Sequence, residues 1–227
     1  MNGAASPRPL RADARRNRAR LLAEAHAAFD QDGVTASLED VAARAGVGIG
    51  TLYRHFPTRE ALLEAVLRER FDALTTEARA LLGRGRPRDA LKAWTRRFAA
   101  AGSTYRGLTA ALSATLRDET SALHASCEAM RAAGESLLAD AQRSGEIRAD
   151  LAPVELFTLV FGVAWAHEQA AAAQADGLDR LLDLLFDGLS CGQGPAFPAR
   201  AATSGKSAAP GAVERDGDES AAGRELR

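Results

Sequence analysis

The segment from residue 33 to residue 63 constrains the fold more than any other part of the chain, because it carries signals that start and stop three closely spaced helices. Ser37 comes directly before a run of residues with helical apolar spacing. Asp40 lies three residues after Ser37, an arrangement close to a capping box. Gly46 follows that run at the position where many helices end in a left-handed backbone conformation. These signals predict a short helix over residues 37–45.

A second short helix is predicted over residues 49–56. Leu52 and Phe56, four residues apart, share one face and would point into a core, while the positions between them lie off that face. Pro57 must end this helix, and Thr58 can cap a longer third one. Two short helices joined by a tight turn and followed by a third form a helix-turn-helix, whose second helix can face the major groove of DNA.

Local charge matters more than net charge in this chain. The 227 residues are 46% hydrophobic and 26% charged, as in ordinary globular proteins, and the net charge is −1. Any attraction to nucleic acid must therefore come from a local patch. Residues 8–20 form such a patch, with Asp13 as the single acid among six arginines: Arg8, Arg11, Arg15, Arg16, Arg18 and Arg20. Two interpretations remain open, an arm that contacts DNA or a disordered leader followed by a solvated helix turn.

The rest of the sequence shows helical spacing without strand-like alternation, and it breaks where Gly and Pro cluster. Helices are predicted at about 14–31, 37–45, 49–56, 58–82, 88–101, 104–117, 119–145, 153–173 and 177–190. The fold class is therefore all-α. We expect a flexible Arg-rich arm at 1–13, a three-helix DNA-binding head at 14–60, a helical body at 61–191 and a disordered tail at 192–227, which has too little apolar surface to fold.

The head resembles the tetracycline-repressor (TetR) family of bacterial transcription regulators. The resemblance covers roughly residues 15–65 and rests on the Gly-Thr-Leu-Tyr-Arg-His-Phe run at 50–56, on Ala45-Gly46-Val47 before it and on Arg59-Glu60-Ala-Leu-Leu after it. It implies a helical body that dimerises and binds a small-molecule effector. It also implies three partners, namely a double-stranded palindromic operator, a second copy of the chain and an unidentified effector, and a repressor more readily than an activator.

Several residues of the head are not required for packing and are candidates for DNA contact. Gly50 and Thr51 begin the second helix and could read bases, with Ile49 as an apolar contact. Phosphate contacts are predicted for five further residues: Ser37, Arg44, Tyr53, His55 and Arg59. The family often has a polar residue where this chain has Gly48, so recognition here should depend more on shape and phosphates.

The last two predicted helices carry wide apolar stripes. In the TetR family the final helix pair packs against its copy as a four-helix bundle, so the resemblance implies a dimer interface built from these stripes. The predicted interface residues are Leu156, Val160, Val163, His167, Leu178, Leu181, Leu182 and Leu185. The alternative is that these stripes complete the core of the monomer.

Aromatic and sulfur-containing residues are concentrated in the middle helices. The resemblance implies that they line an effector pocket: Trp94, Phe98, Tyr105, Leu108, Leu112, Cys127, Met130, Phe161 and Trp165. Residues of this kind at helical spacing are more often core. The polar anchors available to a ligand are Tyr105, His124, Glu128, His167 and Glu168.

A metal site and an enzyme are both weakly supported. His124 and Glu128, with Cys127 between them, have a spacing that zinc allows, but no dense Cys/His cluster is present, so we predict no metal and no cofactor. No phosphate-binding Gly loop, Gly-x-Ser-x-Gly elbow or His-Glu-x-x-His motif occurs, so we predict no enzyme. The alternative from another class is a helical interaction module that keeps the helix-turn-helix only as scaffold.

The location of the protein follows from its cysteines and its apolar runs. Cys127 and Cys191 favour a reducing compartment, and the N-terminus lacks the apolar segment of a signal peptide. The longest apolar run, at 156–166, is about half the ~20 residues that a membrane-spanning helix needs. We expect a cytoplasmic protein without membrane contact.

Overall fold

The computed structural model describes residues 7–100, 110–169 and 177–190, in which all regular secondary structure is helical. A single turn of 3-10 helix at Gly33–Thr35 follows the first α-helix. The α-helices of the described residues are α1 (Pro7–Asp32), α2 (Leu38–Arg44), α3 (Ile49–His55), α4 (Arg59–Leu81), α5 (Pro87–Ala100), α6 (Ala110–Arg117), α7 (Ala122–Arg143), α8 (Pro153–Gln169) and α9 (Gly177–Leu189). The predicted all-α class is confirmed.

α1 begins at Pro7, seven residues before the predicted start at residue 14. Proline suits the first helical position, because its backbone angle is already helical and its missing N–H would have no partner there. The arginines and alanines that follow are good helix formers. Residues 7–13, which we assigned to a flexible arm, are therefore helical. Residues 1–6 and the side chains of Arg8 and Arg11 lie outside the described part of the chain.

The caps of the head follow the sequence signals. Ser37 Oγ accepts a hydrogen bond from the backbone N–H of Asp40 at 3.1 Å and so starts α2. Gly46 has a φ of +67°, and the N–H of Val47 donates to the carbonyl of Ala42 at 3.0 Å, which closes the end of α2. Thr58 caps α4 in the same way as Ser37 caps α2. Local chemistry therefore sets where α2 begins and ends and where α4 begins.

α4 runs from the head into the body, across the boundary that we predicted between residues 60 and 61. Leu62, Leu63 and Val66 near its start are almost fully buried, and α1 packs against it. Further along, α4 packs along α7 and buries Phe71 and Leu74. The buried residues of the head and of the body belong to one hydrophobic core, so no linker separates the two.

α9 is held against α5 by a row of ion pairs. Three basic residues of α5 and three acidic residues of α9 are each spaced four apart, and they meet in antiparallel order: Arg88 with Asp187 at 2.8 Å, Lys92 with Asp183 at 2.7 Å and Arg96 with Asp179 at 3.0 Å. The hydrogen bond from Lys92 lowers the pKa of the Asp183 carboxyl. The buried residues of α9 place one of its faces on the core, its other face is turned outward, and the ion pairs lie along its contact with α5.

No helix within the described ranges is both long enough and apolar enough to span a membrane.

Candidate functional site

α3 is the second helix of the helix-turn-helix, and we call it the recognition helix. Its inner face packs in the core of the head, and its outer face is exposed. Leu52 is fully buried, and Phe56 directly after the helix is also buried. Gly48 caps α3 without a side-chain hydrogen bond. On the opposite side, Gly50 and Tyr53 are exposed, with 45% of Tyr53 accessible. An exposed aromatic residue beside a bare backbone position is suited to close contact with a duplex.

Arg54 is a candidate DNA contact that our sequence reasoning missed. It is exposed and lies directly opposite the buried face of α3, four residues after Gly50. No ion pair joins it to a described residue. The signal was available, because a helical wheel that places Leu52 and Phe56 inward places Arg54 at the centre of the outer face.

The other predicted base and phosphate contacts on α3 lie at the edges of the outer face. Thr51 and His55 are half-buried, so part of each side chain remains accessible. Ile49 is also half-buried, but it packs against the hydrophobic core. Its side chain therefore supports the head, which leaves less of it for the apolar base contact that we predicted.

Arg59 has a structural role that differs from the phosphate contact we predicted. Its Nη1 donates hydrogen bonds to the carbonyl oxygens of Val34 at 3.0 Å and Ala36 at 2.6 Å. Both carbonyls belong to the segment that connects α1 to α2. Arg59 therefore fastens the start of α4 to the start of α2, and its fork is at least partly used inside the protein.

Two more predicted phosphate contacts also have internal partners. Ser37 Oγ caps α2, as described above. Arg44 Nε lies 3.6 Å from Glu24 Oε2, and its side chain is 42% exposed. Because that pair is accessible to solvent, a phosphate could replace the carboxylate of Glu24.

Arginines of α1 flank the recognition helix. The guanidinium carbon of Arg18 lies 4.9 Å from the centre of the Phe56 ring, a cation–π contact at the end of α3. Arg20 approaches Gly46 in the turn between α2 and α3, and it also donates to Asn17 at 2.7 Å. Basic charge is thus present near both ends of α3.

The body contains a largely apolar cavity of about 380 Å³. α4, α5, α6, α7 and α8 all contribute to its lining, which consists of Phe71, Phe98, Leu116, Cys127, Met130, Arg131, Val154, Phe157, Thr158 and Phe161. This volume falls within the range of small-molecule sites. Burial raises the pKa of the Cys127 thiol, so the thiol stays protonated and neutral.

A buried aromatic cluster supports one wall of the cavity. Trp94 is fully buried and its Nε1 donates to the carbonyl of Leu74 at 2.9 Å. Phe98 stacks on Trp94 at 5.7 Å, and Phe157 meets Phe98 edge-on at 5.4 Å. Gly134 is required behind this cluster, since a Cβ there would lie 2.5 Å from the Trp94 ring.

The predicted pocket residues are only partly brought together. Four of them line the cavity: Phe98, Cys127, Met130 and Phe161. Trp94 lies behind the wall as core, and Trp165 is 56% exposed on the surface, so neither lines the cavity. Tyr105 and Leu108, and the side chain of Leu112, lie outside the described residues. Phe71 and Arg131 are lining residues that the sequence did not indicate, because nothing local marks which residue of a long helix faces a cavity.

The predicted dimer interface is divided between the core and the surface. Leu156, Val160 and Leu182 are fully buried in the monomer, so they cannot contact a second copy. Val163, His167, Leu178 and Leu185 are half-buried, and Leu181 is exposed. Six large apolar residues of α8 and α9 are exposed: Val154, Leu159, Phe161, Trp165, Leu181 and Leu184. Val154 and Phe161 also line the cavity, and Gly162 and Gly188 have open space above them.

Among the suggested polar anchors whose side chains are described, His124, Glu128 and His167 do not line the cavity. His124 Nδ1 lies 2.8 Å from the carbonyl of Leu116, to which it can donate. Glu128 pairs with Arg131 across one helix turn at 3.7 Å. The Glu168 side chain lies outside the described residues. Among the described residues, no three or more His, Cys, Asp or Glu side chains lie together as a group that could hold a metal ion.

Comparisons with known proteins agree with this geometry. Residues 21–66 match the family described as bacterial regulatory proteins, tetR family, and residues 86–191 match the C-terminal domain of SbtR-like transcriptional regulators. An HTH-type transcriptional regulator of Staphylococcus aureus is 40% identical over 68 residues, which are 30% of this chain and 37% of that protein. The match thus spans little more than a third of this relative.

Two crystal structures are similar over nearly their whole length. A TetR transcriptional regulator from Streptomyces coelicolor is 38% identical with a TM-score of 0.59, and the match covers 76% of this chain and 98% of that one. A TetR transcription regulatory protein from Mycobacterium vanbaalenii is 34% identical with a TM-score of 0.56, and the match covers 80% and 99%. The chain therefore belongs to the TetR family of transcription regulators, which bind DNA and are not enzymes.

Proposed function

We propose that the protein is a cytoplasmic, homodimeric repressor that a small-molecule effector releases from a palindromic operator. What supports this most is the course of α4, which starts beside the recognition helix and contributes Phe71 to the cavity wall. A ligand in the cavity therefore touches the same helix that Arg59 fastens to the head. Ligand and operator can thus influence one another through a single rigid element.

The DNA-binding part of the proposal rests on the outer face of α3. Gly50, Thr51 and Arg54 would contact base edges, while Tyr53 and His55 would hold phosphates. Arg18 and Arg20 of α1, and Arg44 of α2, add positive charge beside them. None of Gly50, Tyr53 and Arg54 is needed for packing, since all three are exposed.

The dimer rests on the outward face of α8 and α9. Leu159, Trp165, Leu181 and Leu184 form an exposed apolar surface, and Gly162 lets another helix approach closely. A twofold dimer places two recognition helices on successive major grooves, ~34–36 Å apart, as a palindromic operator requires. The interface we now propose is therefore this outward set and not the buried leucines and valines that we first predicted.

Release requires an effector that binds one conformation better than the other. To shift the protein from 99% operator-competent to 1%, the effector must prefer the incompetent state by ~5.5 kcal/mol. The cavity contacts five helices, so a small change in the position of α4 alters its shape.

The experiment is the capture of fragmented genomic DNA from the source organism on the purified protein, followed by sequencing. Palindromic fragments should be enriched by the wild type and lost in Arg54→Ala, whereas Arg143→Ala, an exposed arginine of α7, should behave as the wild type. Enrichment in all three proteins would remove Arg54 as a reading residue. No enrichment in any of them would mean either that the purified protein carries a releasing ligand or that the helix-turn-helix serves as scaffold in an interaction module, and protein refolded to remove bound ligand separates the two.

A further inference from the structure

Arg131 differs from its neighbours in the cavity wall, because among the described lining residues it alone is charged. We infer that the effector is a small aromatic carboxylic acid, with its ring in the cavity and its carboxylate bound by Arg131. This inference rests on the proposed function of the cavity and names the class of ligand that it takes.

The apolar part of the ligand follows from the wall of the cavity. Four phenylalanines line it: Phe71, Phe98, Phe157 and Phe161. The rings of Phe98 and Phe157 are held at 73° to each other, and Trp94 stacked behind Phe98 at 8° keeps that ring from turning. Fixed ring faces and edges favour an aromatic guest, which gains edge-to-face and stacking contacts in addition to burial. The volume of about 380 Å³ is near the lower end for ligand sites and suits one or two fused rings.

The charged part of the ligand follows from the state of Arg131. Its side chain is 45% exposed, so it stands at the mouth of the cavity and keeps its charge hydrated when no ligand is bound. Glu128 approaches it at 3.7 Å, beyond hydrogen-bond distance. The planar fork of the guanidinium is therefore available for two parallel hydrogen bonds to a carboxylate.

The lining also disfavours a cationic ligand. None of the described lining residues is acidic, and the Cys127 thiol is neutral because burial raises its pKa. A cation would enter an apolar space with Arg131 at its mouth, and among the described lining residues it would find no acidic side chain to replace its lost hydration. Cys127, Met130 and Arg131 share one face of α7. The guanidinium group of Arg131 therefore belongs to the same cavity wall as Cys127, one helix turn away.

The test measures binding to the full-length protein without DNA by titration calorimetry. The probes are 2-naphthoate, its uncharged amide 2-naphthamide and the cationic 2-naphthylmethylamine. We expect naphthoate to bind at least about tenfold more tightly than the amide, with the amine weakest. Arg131→Gln should reduce the affinity for naphthoate to that for the amide and leave the amide unchanged.

Two further variants isolate the effect of charge at the mouth. Glu128→Gln removes the nearby competing carboxylate and should increase the affinity for naphthoate. Arg143→Gln lies on the same helix, where it pairs with Asp140, and it should change nothing. Equal binding of naphthoate and the amide, stronger binding of the amine, or no naphthoate binding at millimolar concentration would each overturn the inference.

Operator release, measured separately by fluorescence anisotropy, distinguishes this inference from the proposed function. If naphthoate binds in an Arg131-dependent way but leaves the protein on DNA, the ligand class is right and release by effector is wrong. If the amine or the amide releases DNA while naphthoate does not bind, release is right and the ligand class is wrong.

Discussion

Replacement of Arg59 decides between two roles for this residue. A phosphate contact at the start of α4 was the prediction from sequence, whereas in the structure Arg59 Nη1 binds the carbonyl oxygens of Val34 and Ala36. A positive charge at a helix N-terminus is also unfavourable with respect to the helix dipole. A cation at this position therefore needs a compensating interaction, and the two carbonyls supply it.

The expected cost follows from those two hydrogen bonds. Each has a charged donor and a partly buried acceptor, for which ~1.5–3 kcal/mol is typical. Since partial burial lowers the value, we expect Arg59→Ala to reduce the free energy of unfolding by about 2–4 kcal/mol. Arg59→Lys keeps the charge, but its shorter side chain reaches the two carbonyls less well, and it should cost about half as much.

Urea unfolding measures the stability of these variants, and operator affinity at several salt concentrations measures their phosphate contacts. If Arg59 is structural, the free energy of unfolding falls. The salt dependence of operator binding, measured under conditions in which the variant is folded, is then unchanged. A lost phosphate contact would instead lower the slope of log K against log salt by ~0.9. Unchanged stability with a shallower slope would refute the structural role. Arg44→Ala is the matched control, because Arg44 is a predicted phosphate contact whose ion pair with Glu24 is exposed, and it should show that second pattern.

Three further predictions concern the body. Gly134→Ala should destabilise the protein by about 1–3 kcal/mol in urea unfolding, because its Cβ would overlap the Trp94 ring. Leu184→Glu should give a folded monomer in analytical ultracentrifugation, because it places a charge in the proposed interface. Asp183→Asn should flatten the fall in stability below about pH 4, because the Lys92 hydrogen bond lowers the pKa of Asp183 and its contribution is lost only as pH falls through that lowered pKa.

Each of these predictions has a simple contrary result. A Gly134→Ala protein as stable as the wild type would mean that the aromatic cluster can shift without cost. Gly50→Ala is its control, since nothing lies within 4 Å of that position and alanine there should be neutral or stabilise α3 by up to ~1 kcal/mol. If Leu184→Glu still forms a dimer, the interface lies elsewhere. If stability falls below about pH 4 as steeply in Asp183→Asn as in the wild type, another carboxyl is responsible for that fall.

The boundaries of α2, α3 and α4 could be predicted from the sequence to within a residue, because their signals are local. Ser37 caps α2, Gly46 ends it and Phe56 is extended before Pro57, each as expected from its own neighbours. The start of α1 was predicted too late, because the proline at residue 7 was not recognised as a first helical residue. The role of Arg59 could not be predicted, since its partners lie more than twenty residues away.

The body could be predicted only as a set of helices. α8 has apolar residues around most of its circumference, so periodicity cannot tell which stripe faces inward. Leu156 and Val160 were assigned to the dimer and lie in the core, while Trp165 was assigned to the pocket and lies on the surface. Tertiary packing decides which of these faces is buried, and no short-range signal in the sequence indicates the outcome.

The core shared by α4 with the head and the body sets a rule for anyone who recombines such regulators. A fragment cut after Pro57 would keep the whole recognition motif but lose Leu62, Leu63 and Val66, which complete the core against α1. Such a fragment should express poorly and aggregate, although its sequence motif is intact. A chimaera with a new sensor body needs its junction after these residues. The DNA-binding unit that can be transferred thus ends where the side chains of α4 stop packing against α1, and not where the sequence motif ends.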